Sequence, residues 1–288
     1  MNLRRSLLLP VLAVALAACG ASSATPTPVP ATAAPATPAP ATAAPATAVP
    51  AQAADLQVYA AASLKALLAK AKEAYEAANP GTTITVSTDS STALETKIEQ
   101  GAPADVFLSA DVKNPQKLVD GGFGSGPVTI FAGNKLTVIV PTANPAEIGN
   151  VADLARSGVK IIACADGVPI AKYTAILLDN LARQAGFPAD FAAQFNANVV
   201  SHEDNAGAVV TKVGLGEGDA GVVYVTDAKG SDKVTMVDIP AGANVPASYG
   251  GVTVKASRSP GAAAAFLAWL AGDAGQALFQ AFGFQPVQ

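Results

Sequence analysis

Histidine and cysteine are nearly missing from this chain: one histidine and two cysteines stand among 288 residues. That scarcity removes whole classes of chemistry. A Ser–His–Asp hydrolase needs an imidazole base. The one candidate, His202, stands beside Glu203 and Asp204 in a polar stretch, no Gly-x-Ser-x-Gly elbow accompanies it, and it reads as a surface residue. An imidazole or thiolate metal site lacks its ligands. The carboxylates flanking "VFLSA", Asp105 and Asp111, fit ordinary solvated or capping roles. Two cysteines make no disulfide framework, and Cys164, inside "VKIIACAD", reads as a small residue of a buried strand. Basic residues are also short, 18 against 22 acidic, for a formal net charge of −4. Such a surface attracts neither nucleic acid nor anionic lipid by charge. After the first eighteen residues no further apolar run is long enough to span a bilayer.

What is present begins with a leader. Residues 1–18, "MNLRRSLLLPVLAVALAA", join a basic start to a short apolar core, the pattern of a secretion signal that is cut away. Leu16-Ala17-Ala18-Cys19 resembles the bacterial lipoprotein cleavage box, which makes Cys19 the expected lipidated N-terminus and anchor. Residues 19–54 are almost wholly Ala, Pro, Thr and Val, a composition that buries no core and serves as an extended spacer. At ~3 Å per residue such a spacer reaches at most on the order of 100 Å from the lipid.

From Asp55 onward there is enough apolar material for two cores. Leu56, Val58 and Ala60 alternate as in a strand, then Leu64, Leu67, Leu68, Ala71 and Tyr75 recur at helical spacing until Asn79-Pro80-Gly81 stops the run. Strand patterns in "TTITVSTD", "ADVFLSA", "KLTVIVP", "VKIIACA", "AGVVYV" and "GGVTVKA" alternate with helical ones, as in "TALETKIEQG" and the alanine-rich stretch holding Phe266, Leu267, Trp269 and Leu270. That alternation predicts an α/β fold with mostly parallel sheets flanked by helices. Tyr59, Tyr75, Tyr173 and Tyr249 read as packing residues.

In such sheets ligands bind beyond the carboxyl ends of strands, where helix N-termini point. Four of those turns are built from small or capping residues: Ala60-Ala61-Ala62-Ser63, Asp89-Ser90-Ser91-Thr92, Asp166-Gly167-Val168-Pro169-Ile170, and His202-Glu203-Asp204-Asn205-Ala206-Gly207. None contains Lys or Arg. A helix start offers unpaired N–H groups and about half a positive charge, so several converging starts can hold an anion without any cation. Ser and Thr also cap their own helices with no ligand present, and Ser63 alone fits that role. Three consecutive hydroxyls at Ser90, Ser91 and Thr92 exceed what one cap needs.

The segments "VYAAASLKAL", "SSTALETKIEQGAPADVFLSAD", "GVPIAKYT" and "AGVVYVTDA" resemble, in order, the successive motifs of the bacterial molybdate-binding proteins, substrate-binding subunits of molybdate and tungstate ABC importers. The resemblance implies a two-lobed periplasmic-binding-protein fold of type II with the ligand in the cleft. One lobe would comprise residues 55–134 plus 241–288 and the other 135–240. It implies neutral donors around a tetrahedral oxyanion: Ser63 and Ser91 from the first lobe, and from the second the backbone N–H groups of Ile170 and Asn205 and the phenol of Tyr224. The metal atom of molybdate would be held through its oxygens, with no direct metal ligand. Ile170 and Asn205 replace the family's Ala and Val, and the Asn205 side chain adds a possible donor. The resemblance further implies a monomer without a cofactor or enzymatic activity, working with a permease and its ATPase.

Other readings stay open. A receptor of the same shape for sulfate or phosphate would use the same donors, and only cavity size would separate sulfate from molybdate. A ferric-ion receptor typically needs adjacent tyrosines, whereas Tyr224 lies between Val223 and Val225. A structural lipoprotein would show no ligand-induced closure.

Overall fold

A computed structural model describes residues 54–287. The leader, Cys19 and all but the last residue of the spacer lie outside the described residues.

In chain order, β1 (Ala54–Ala61) enters a 3₁₀ turn (Ala62–Leu64) and α1 (Lys65–Ala78), followed by β2 (Thr82–Asp89), α2 (Ser91–Glu99), β3 (Val106–Ser109), α3 (Lys113–Asp120) and β4 (Gly124–Asn134). The chain continues through β5 (Leu136–Pro141), a second 3₁₀ turn (Val151–Ala155), β6 (Ile161–Cys164), α4 (Pro169–Leu181), α5 (Phe191–Ala197), β7 (Val199–Glu203), α6 (Ala206–Gly214), β8 (Ala220–Tyr224), α7 (Val225–Lys229) and β9 (Val234–Val237). It ends with β10 (Ala247–Val254), α8 (Pro260–Ala271) and α9 (Asp273–Ala281).

These strands make two five-stranded sheets, ordered β2-β1-β3-β10-β4 and β7-β6-β8-β5-β9. The pairs β1–β2, β1–β3, β6–β7 and β6–β8 are parallel, while β10 and β5 run antiparallel to both neighbours. Each sheet is therefore mixed, with one reversed strand among four that share a direction. The reversed strands are the ones that follow each change of sheet: the chain leaves the first sheet between Asn134 and Leu136 and re-enters it between Val237 and Ala247.

The periodic segments pack as their apolar faces dictate. Leu67, Leu68, Ala71 and Tyr75 of α1 are buried, and the Tyr75 ring meets Phe266 and Trp269 of α8 edge-on, at 5.0 and 5.2 Å between centroids. Such aromatic pairs add about 0.5–1.5 kcal/mol beyond the area they bury. Cys164 is buried with no disulfide partner among the described residues, and burial pushes its thiol up to about 12, so it stays protonated and inert. On β8, a Cβ at Gly221 would stand 2.6 Å from Val209 Cγ1, so only glycine lets α6 sit this close to the sheet and fixes where its N-terminus lies. Asp105 and Asp111 are buried rather than solvated. Asp105 accepts from Gln57 N–H at 2.7 Å and from Ser257 Oγ, and Asp111 accepts from Asn114 N–H at 2.9 Å and Ser109 Oγ at 2.9 Å, capping α3. His202 is exposed, on the last turn-ward residues of strand β7 rather than in a loop.

Candidate functional site

The strands joined in parallel pairs, β1, β2, β3, β6, β7 and β8, end at Ala61, Asp89, Ser109, Cys164, Glu203 and Tyr224, and turns that follow strands of both sheets meet around one space. A cavity of about 20 Å³ lies there, lined by Ser63, Ser91, Ile170, Asn205 and Tyr224 together with backbone neighbours such as Ala62, Ala110 and Ala206. All five residues singled out from the sequence thus border one space. Its volume exceeds the ~10–15 Å³ that one water needs, yet falls far short of the ~300 Å³ of an ordinary organic-ligand pocket. A small polyatomic ion fits; a sugar, amino acid or peptide does not. A larger groove, about 1050 Å³, lies near the amino end of β1 beside Ala54, Asp55 and Arg258, and none of the five residues borders it.

How each donor comes to be free follows from what caps each helix. Ala61 holds the N-cap position of the first 3₁₀ turn with no side-chain cap bond, so Ser63 is not spent as a cap; its Oγ lies 2.9 Å from Tyr249 Oη. In the second turn the three hydroxyls divide their work. Ser90 is the cap, accepting from Ala93 N–H at 3.1 Å. Ser91 is buried and accepts from Ala110 N–H at 3.0 Å, which leaves its own hydrogen to donate. Thr92 Oγ1 donates to Gly167 O at 2.7 Å, joining α2 beside the first sheet to the turn after β6 in the second. Lys172 Nζ of α4 stands 3.9 Å from Asp111 Oδ2 and adds a second link across the same rim.

On the other side, Val168 precedes α4 without a capping side chain and Pro169 takes the first helical position. The N–H of Ile170 therefore belongs to the first turn, which no intrahelical carbonyl satisfies. Asn205 caps α6 from an extended backbone, its Oδ1 accepting from Ala208 N–H at 3.0 Å. That commits the side-chain oxygen to the helix. The Asn205 backbone N–H carries no such duty, and like the N–H groups of the next residues it has no intrahelical partner.

Tyr224 closes β8, is 2% exposed, and its Oη has no hydrogen-bond partner among the described residues. Burial holds its phenol well above the ordinary tyrosine range, so it is a hydrogen donor at neutral pH. An unpaired buried hydroxyl costs about 1–3 kcal/mol, and this one borders the cavity. No Lys or Arg lines the space, and its one carboxylate, Asp89, is occupied by Ser90 N–H at 2.8 Å and Lys97 Nζ at 2.9 Å. Neutral donors, two helix starts and an orphan phenol amount to a site that accepts negative charge.

A family model for bacterial extracellular solute-binding proteins matches residues 56–285. The chain belongs to that family. It is similar to the molybdate-binding protein ModA of Mycobacterium tuberculosis, with 34% identity over 228 residues, 79% of this chain and 83% of the relative. It is also 31% identical over 231 residues, 80% of this chain and 85% of the relative, to the putative ABC transporter substrate-binding lipoprotein YvgL of Bacillus subtilis. Among solved structures, the periplasmic molybdate-binding protein of Azotobacter vinelandii matches with a TM-score of 0.69 at 25% identity, over 81% of this chain and 100% of that one. The likeness to molybdate-binding proteins drawn from four short motifs thus extends over the folded chain, and the two-lobed α/β architecture with it. A solute-binding protein captures and releases; it is not an enzyme, and its family works outside the cytoplasm.

For this solute-binding protein, sequence reasoning overlooked two residues that shape the rim. Thr92 had a signal, since it was the surplus third hydroxyl of its turn. Tyr249 had none: it lies 186 positions from Ser63, and only the fold of β10 beside β3 brings its hydroxyl there. It packs as expected, against Phe131, Tyr224 and Phe284, and also holds Ser63.

Proposed function

We propose that this protein captures molybdate or tungstate outside the cytoplasm, through Ser63, Ser91, Ile170, Asn205 and Tyr224, and delivers it to an ABC permease and its ATPase. The observation that carries the reading is the buried, partnerless Tyr224 hydroxyl beside a small cavity without cations. Molybdate is a dianion that would be prohibitively costly to bury without hydrogen bonds. Hydroxyls and N–H groups at this rim supply them, at about 1.5–3 kcal/mol for each charge-assisted bond.

In this reading residues 55–134 and 241–288 form one lobe, residues 135–240 the other, and the anion bridges both. Bridging favours the closed arrangement, to which Thr92 and Lys172 contribute, and a permease engages that arrangement selectively. Cys19 carries the lipid, as the lipoprotein name of the Bacillus relative supports, and the protein acts as a monomer. Selection against sulfate rests on cavity size.

Isothermal titration calorimetry with molybdate, tungstate, sulfate and phosphate tests this directly. Tight binding of the first two alone is expected. Sulfate binding as tight as molybdate would transfer the assignment to a general oxyanion receptor, and silence with all four would refute it.

A further inference from the structure

The Ser63–Tyr249 contact has two hydroxyls, and which one donates decides what Ser63 offers a ligand. The neighbours settle the direction. Asn134 Oδ1 accepts from the Lys135 backbone N–H at 2.9 Å. A backbone N–H only donates, so the amide oxygen faces it and the amide nitrogen is turned the other way. That nitrogen donates to Thr226 Oγ1 at 2.8 Å and to Tyr249 Oη at 3.3 Å. The Tyr249 proton therefore cannot point back at Asn134. Tyr249 is fully buried, and burial holds its phenol well above the ordinary tyrosine range, so the proton is present and needs an acceptor. Ser63 Oγ, 2.9 Å away, is that acceptor. With its lone pair so engaged, Ser63 has its own hydrogen left, and Ser63 borders the cavity while Tyr249 does not.

We propose that Tyr249, held in direction by Asn134, is a positioning residue that fixes the Ser63 hydroxyl as a donor and thereby discriminates against protonated oxyanions. The proposal rests on the oxyanion reading above and specifies how part of that site selects. A fully ionised tetrahedral anion accepts from Ser63 in any orientation. An anion carrying its own O–H, such as hydrogen phosphate, meets a donor where it would need an acceptor, and loses that bond.

The test is titration of the purified protein with molybdate, and with hydrogen phosphate by competition, in mildly alkaline buffer where both are dianions. Tyr249→Phe keeps the ring against Phe131, Tyr224 and Phe284 but frees Ser63 to rotate. It is expected to weaken molybdate roughly three- to tenfold and to narrow the molybdate-over-phosphate ratio by at least as much. Asn134→Asp puts an acceptor where the donor stood, which draws the Tyr249 proton away from Ser63 and narrows the ratio further. Its added charge weighs on both dianions alike and cancels in the ratio. In a Ser63→Ala background, Tyr249→Phe is expected to change nothing more. An unchanged ratio in both single variants, or an equal loss with Ser63 absent, overturns the relay while leaving a molybdate-binding wild type intact. A wild type that ignores molybdate and tungstate overturns the relay and the oxyanion reading together.

Discussion

Replacing Tyr224 with phenylalanine should push stability and affinity in opposite directions. The Tyr224 ring is locked between Tyr173 and Tyr249, at 6.3 and 5.6 Å between centroids, and phenylalanine keeps that packing. Only the hydroxyl goes, and it has no partner among the described residues. Removing it relieves a desolvation penalty of about 1–3 kcal/mol in the ligand-free protein. For a folded region of this size, each kcal/mol shifts the melting temperature by about 2–4 °C. The ligand-free variant should therefore melt several degrees above wild type. Binding should suffer, because the same hydroxyl would donate to a charged oxygen, a bond worth about 1.5–3 kcal/mol, or roughly a tenfold to hundredfold rise in Kd. Scanning calorimetry without ligand and isothermal titration with molybdate give the two numbers. A variant that melts lower than wild type and binds molybdate equally well would show that the hydroxyl is satisfied and has no ligand to meet, and the reasoning about this site would fall.

Other substitutions separate caps from donors. Ser63→Ala should weaken molybdate by about 1–3 kcal/mol and also lower the melting temperature, since it leaves the buried Tyr249 hydroxyl without its acceptor; unchanged affinity would remove Ser63 from the site. Ser90→Ala should act on stability alone, costing about 0.5–2 kcal/mol through the lost cap of α2 and leaving Kd nearly unmoved, as denaturant titration and calorimetry together would report. Thr92→Val removes the 2.7 Å bond to Gly167 and should reduce affinity by about 1 kcal/mol by destabilising the closed form; small-angle scattering of the ligand-free variant should show a larger radius of gyration. Asp227, whose Oδ2 is buried without a hydrogen-bond partner among the described residues, is pushed up by burial to about 7 from 3.8. The folded state then keeps a proton that the unfolded state has released, so stability falls as pH rises from about 4 to about 7 and is flat above. Asp227→Asn should abolish that fall and raise stability near pH 8 by at most about 4 kcal/mol. Equal pH slopes for variant and wild type would refute it.

The sequence was most informative where chemistry is local. A strand ending in three alanines, a turn with one hydroxyl too many, and Pro169 at the head of α4 are all statements about a few adjacent residues, and each one borders the cavity. The α/β alternation was equally plain, because Leu67, Leu68, Ala71 and Tyr75 bury one helical face while Leu56, Val58 and Ala60 bury one strand face. The reversal of β5 and β10 was not legible, since strand direction is set by where the chain crosses between sheets and leaves no mark on period-two alternation. The strand β4 was missed for a related reason: "GSGPVTIFAGN" begins with glycines and a proline that read as a loop, yet it sits at a sheet edge where a missing N–H is tolerated.

Tyr249 marks the limit most sharply. Its side chain looks like core from the sequence and is core in the structure, at 0% exposure. What it does depends on a hydroxyl direction, and that direction depends on an amide, Asn134, whose own orientation is set by the backbone N–H of Lys135 at the crossing between sheets. A packing residue and a donor-setting residue are the same atoms here. They differ only in which neighbour owns the proton, and long-range pairing alone supplies that information. The site's neutrality makes this matter. With no cation to dominate binding, a protonated dianion is told from a fully ionised one by hydrogen positions, so a second layer that fixes those hydrogens is where that part of the selectivity is built, while cavity size is left to separate sulfate from molybdate.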